Sequence, residues 1–236
     1  MSDNATLINI VIVLFAACIH AMLQLGLGCV VLLYHHGNSQ RKVPRRTHTL
    51  VSSFIAGVGS MSLLVLAAMA FILANSFNLY QAREFYFAAG LAAGAVAILI
   101  WGVYYRRKNT TELWLPRTVA KFINERAREA KNPAEGFLLG AFSTFGELLF
   151  LLPVMVVAAA ALLSLPEGWE LVALGGYVII SILPLVFVRC FTYRLATVGE
   201  IQTFRNRHQR FIKAMSGLMF LIFSVFIIIF RVVGVI

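Results

Sequence analysis

Six long apolar runs, separated by short charged stretches, constrain this chain more than any motif it carries. They cover residues 7–34, 50–74, 85–105, 136–163, 171–191 and 211–235. A helix needs about 20 predominantly apolar residues to cross a bilayer, and every run is long enough. Lipid offers no hydrogen bonds to the backbone, so each run is expected to be helical. Membrane β-strands would be short and alternate in polarity, unlike these continuous runs. Charged residues make up only 13% of the chain, against about 25% in soluble domains. The expected fold is all-α: a polytopic membrane protein with six transmembrane helices.

Charge then orients the spans. Of the 20 Lys and Arg residues, all but Arg83 and Arg231 fall in or beside segments 35–48, 104–135 and 189–213. A six-span path puts these three segments on one side of the membrane. The positive-inside rule makes that side cytoplasmic and both termini non-cytoplasmic. The expected location is multi-pass, in a cell inner membrane. The net charge of +10 would invite a nucleic-acid reading in a soluble domain. Here topology explains it, together with attraction to anionic lipid, so nucleic acid is not an expected partner. Asp3 precedes the first run where a signal peptide would carry basic residues, so that run is expected to be retained.

The chain divides into a first three-helix half (1–105), a cytoplasmic loop (106–135) and a second three-helix half (136–236). Three spans on either side of a long middle loop have opposite topology. That is the plan of a 3+3 inverted repeat, although any six-span chain split this way would have it. Within the loop, "PRTVAKFINERAREAKN" begins with Pro116, a residue suited to a first helical position. Val119, Phe122, Ile123, Ala127 and Ala130 recur at helical spacing among basic residues. They predict a short amphipathic helix on the membrane surface. A linker packed against the bundle is the alternative.

Inside the spans, polar side chains are few. "GAFSTFGELLFLLPVMV" carries Glu147 about three residues from the centre of the fourth run, or roughly 5 Å at helical rise. Gly140, Ser143 and Thr144 lie on or near its face. "AACIHAMLQLGLG" places His20 and Gln24 four residues apart near the centre of the first run. Small residues let helices approach, and polar ones find partners there. Gly26 and Pro153 each follow their polar residue by six positions and favour a local break. A midplane carboxylate costs on the order of 2.5–3.5 kcal/mol when charged, so Glu147 is expected to face the bundle interior. The functional reading is a proton or cation site with Glu147 and His20 as ionisable groups and Gln24, Ser143 and Thr144 as neutral ligands. The bland reading is a neutral acid hydrogen-bonded for packing. His20 is the best candidate to meet Glu147.

The other features point to packing. "GVGSMS" and the GxxxG pattern "GLAAG" are small-residue faces. Pro184 is expected to kink the fifth span, and Arg189 and Arg231 to snorkel to headgroups. Cys18, Cys29 and Cys190 form no CxxC motif and no disulfide framework. His35, His36 and His48 lie in a basic setting without carboxylates, so no metal site is expected. No enzyme motif or cofactor fingerprint is present, and no lysine lies within a span to hold retinal.

With "CIHAMLQLGLG" and "GAFSTFGELLFLLPV" in the first and fourth spans, the six-span plan resembles the LysE-type transporter superfamily, which includes CcdA/DsbD-like thiol carriers. The resemblance implies export of a small solute or ion. The thiol branch uses a cysteine in each of the first and fourth spans. Cys18 matches the first, but "STFGELLFLLP" has none. The expectation is a transporter, not an enzyme, with no cofactor. Its expected partners are membrane lipids and a small solute or ion, protons included, with a homodimer left open. A membrane scaffold or accessory subunit docking on 116–131, or a redox carrier, are the alternatives.

Overall fold

A computed structural model of the chain describes residues 3–23, 30, 33, 45–76, 81–104, 125–127, 129–130, 132–194 and 209–234. Six helices in it are long and apolar enough to cross a membrane, and no strand occurs among the described residues. They are α1 (Asp3–Leu23), α2 (Arg45–Ala74), α3 (Arg83–Leu99), α4 (Pro133–Leu163), α5 (Trp169–Arg194) and α6 (Gln209–Ile227). Both α3 and α6 continue into a wider π-helical turn, at Ile100–Tyr104 and Ile228–Val233. The order of elements matches the six apolar runs. Several ends differ: α2 begins at Arg45, and α5 continues to Arg194.

The proline-started helix is α4. Pro133 occupies its first turn, and the Asn132 backbone N–H and side-chain amide both donate to the Glu135 carboxylate, at 3.5 and 3.1 Å. From there α4 runs through Pro153 without interruption. It is the most buried of the six helices and touches α1, α2, α3 and α5. In addition, α1 packs on α5 and α6, α2 on α5, and α3 on α6. Of the amphipathic helix expected over 116–131, residues 116–124, 128 and 131 lie outside the described residues. Ala127 is buried beside Leu50, Phe54, Leu139 and Leu185, so this part of the loop is held against the bundle.

Small residues set the closest approaches. A Cβ on Gly57 would collide with the Phe137 carbonyl, and one on Gly140 with the Phe54 carbonyl. A Cβ on Gly136 would come within 2.7 Å of the Leu50 carbonyl oxygen. Thus α2 and α4 run side by side in the same direction, backbone against backbone. Between α3 and α6, the Ser224 hydroxyl donates to the Gly90 carbonyl at 2.7 Å, and Gly94 leaves room for Ser224. The "GLAAG" pattern is therefore one side of the α3–α6 seam. At the other end of that seam, the Trp101 indole covers Gly217.

Candidate functional site

Glu147 lies near the midpoint of α4 and is 2% exposed. Facing it across the antiparallel α1–α4 contact is His20, fully buried, with Nε2 3.3 Å from Glu147 Oε2. The contact is within ion-pairing distance, but its alignment falls short of a hydrogen bond. The other ring nitrogen, Nδ1, is 3.0 Å from the Tyr177 hydroxyl. Tyr177 comes from α5 and is fully buried as well. One imidazole therefore joins a carboxylate and a phenol, each supplied by a different helix.

The local sequence explains the convergence. On α4, Gly140 clears space for α2 one helical repeat before Glu147, drawing this face inward. On α5, Gly176 precedes Tyr177 and faces Leu14 of α1, whose Cδ2 is 3.5 Å from where a Cβ would stand, an ordinary packing distance. That α1–α5 contact brings the phenol to the imidazole. A buried tyrosine hydroxyl normally finds a partner, and His20 supplies it.

The neutral groups bond first within their own helix. The Ser143 and Thr144 hydroxyls both donate to the Gly140 carbonyl, at 2.8 and 3.3 Å. Their protons are committed to their own helix, which leaves them as acceptors only. Both are buried beside Glu147 on α4. Gln24, the remaining residue of the expected set, lies outside the described residues. Tyr177 was absent from that set. Its sequence signal was a lone phenol directly after Gly175–Gly176 in an otherwise apolar span. Without knowledge of which helix faces it, that pattern reads as packing.

Arg231 departs from the expected snorkelling. Its guanidinium turns into the bundle, donating to Asn9 Oδ1 and covering the Tyr86 ring at 5.0 Å. Cys18 and Cys190 are free and exposed, on α1 and near the end of α5. Comparison of the chain with family models, with curated proteins and with solved structures returned no match.

The Tyr177–His20–Glu147 chain admits two proton arrangements. With Glu147 ionised, Nε2–H points to the carboxylate and the phenol donates to Nδ1. With Glu147 protonated, its O–H points to Nε2, and Nδ1–H donates to the phenol oxygen. The second arrangement holds one proton more than the first, so passing between them takes up or releases a proton without moving helices.

Proposed function

We propose that this protein is an integral membrane transporter of a small solute or ion, LysE-like in plan, with a proton site made by His20 and Glu147. The observation that carries the reading is the buried, three-helix meeting of carboxylate, imidazole and phenol. Ionisable groups at such depth mark proton or ion pathways far more often than simple packing. In this reading Glu147 and His20 share the transported or coupling proton. Tyr177 is a positioning residue that holds the imidazole, and Ser143 and Thr144 offer acceptor oxygens beside it. Both termini are non-cytoplasmic, on the distribution of basic residues.

The helix pairings favour a 3+3 inverted repeat. Exchanging α1 with α4, α2 with α5 and α3 with α6 maps α1–α5 onto α2–α4 and α1–α6 onto α3–α4. The pairs α1–α4, α2–α5 and α3–α6 map onto themselves. Only the slight α4–α5 contact lacks a counterpart among the stronger pairings. The π-helical turns fall on α3 and α6, which are exchange partners too. In inverted-repeat transporters the substrate site lies at midplane between the repeats, where His20 and Glu147 meet.

A structural-staple reading has one observation in its favour: the same three side chains tie α1, α4 and α5 together. Proteoliposomes with an enclosed pH dye separate the two. Wild-type vesicles are expected to show proton movement when candidate cations and amino acids are added outside. Glu147→Gln is expected to fold normally and show none. Unchanged pH-dependent flux in Glu147→Gln would sink the transport-site reading and leave the staple.

A further inference from the structure

A second polar cluster lies far from the midplane, where α1 and α3 begin and where α4 and the π-helical turn after α6 end. Asn9 is its anchor, 1% exposed. The Asn9 Nδ2 donates to the Ser164 carbonyl at 3.1 Å, and its Oδ1 accepts from Arg231. Arg231 is partly buried, and its guanidinium lies over the Tyr86 ring. Side chains from α1 and α3 hold one cation, and the contacts are an amide and an aromatic face.

None of those contacts neutralises the charge. Among the described residues, no carboxylate is within ion-pairing distance of Arg231. Its Nε is buried and donates to no acceptor there. Arg83 is the other basic residue at this end, which also carries Glu84, Glu167 and Glu170. The Arg83 Nη2 is 4.0 Å from where a Cβ on Gly234 would stand, one turn from Arg231. A guanidinium keeps its proton at every accessible pH. Arg231 stays partly exposed, and its buried Nε is the polar atom left without an acceptor. The Nη donors beyond the one bonded to Asn9 fit the oxygens of a carboxylate or phosphate.

We infer that Arg231, held by Asn9 and Tyr86, is an oxyanion-binding site at this end of the bundle, taking a carboxylate or phosphate group. The group belongs either to a soluble anion or to a phospholipid headgroup. The site stands independently of the His20–Glu147 reading.

The test uses the full chain purified in a maltoside detergent, which has no anionic oxygens. Thermal stability is followed while inorganic phosphate, acetate or a short-chain phosphatidylglycerol is added, with chloride at matched ionic strength as control. At least one oxyanion is expected to raise the melting temperature saturably beyond chloride, and Arg231→Gln to abolish the effect. Stabilisation by phosphate or acetate assigns the site to a soluble anion. Stabilisation by the phospholipid alone assigns it to a headgroup. No oxyanion exceeding chloride, or an equal effect in Arg231→Gln, would overturn the site. Should Arg231→Gln not fold, Arg231→Lys and Tyr86→Leu replace it. Each is expected to weaken half-saturation about tenfold, and unchanged half-saturation in both would overturn the site equally.

Discussion

Tyr177 and Glu147 bracket one imidazole, and substitutions at the two should behave differently. Tyr177→Phe removes only a hydroxyl but strands His20 Nδ1 in a dry interior. Leaving a buried polar atom without its partner costs about 1–3 kcal/mol. Lower thermal stability is therefore expected, with a shifted pH midpoint of flux rather than its loss. Glu147→Leu removes the carboxylate facing Nε2 at 3.3 Å and should also be destabilised by about 1–3 kcal/mol. Glu147→Gln keeps shape and a polar contact, so its stability should stay near wild type while proton coupling disappears. Thermal melts of the three variants beside the flux assay check this pattern. Effects of Tyr177→Phe and Glu147→Gln that add independently would show that the three side chains do not act as a unit.

At the scale of elements, the α2–α4 seam makes the sharpest prediction. Gly140→Ala inserts a methyl group against the Phe54 carbonyl, an atom of a neighbouring helix that cannot rotate away. Overpacking of this kind costs about 1–3 kcal/mol. Gly175→Ala, in α5, meets nothing within 4 Å. It should be neutral or stabilising, by up to about 1 kcal/mol, because Ala is the better helix former. Melting temperatures that fall for Gly140→Ala and hold or rise for Gly175→Ala would confirm the seam. Equal effects would mean that α2 and α4 are not in backbone contact. The seam also bears on the site, since it fixes the face of α4 that carries Glu147.

For the whole molecule, the question is which way the bundle faces. In the proposed orientation, segments 35–48, 106–135 and 192–210 face the cytoplasm. A single cysteine introduced at position 40, with Cys18, Cys29 and Cys190 replaced by Ser, should resist an impermeant thiol reagent in intact cells. It should react once the membrane is opened. Labelling from outside would invert the topology and move the Arg231 site to the cytoplasmic face. The oxyanion chemistry itself would be unchanged.

Membrane spans are local properties, and so the sequence alone determined them. A bilayer asks only for length and apolar composition, and both are written within each run. The depth of Glu147 followed for the same reason, because depth is counted along one helix. The meeting of Glu147 with His20 was legible too, since each was the lone ionisable residue at mid-depth in its span. Other features required the tertiary structure. Helices that are apolar all round give little indication of which face turns inward. Tyr177 is one phenol in a span where any face could have met lipid, and only the α1–α5 contact selected it. Ser143 and Thr144 looked free to serve Glu147, but their own helix offered the nearer acceptor in the Gly140 carbonyl. Arg231, at a span's end, could reach headgroups on its own. Asn9 and Tyr86, more than 140 residues away in the chain, turned it inward, and a contact of that range exists only after the helices have packed.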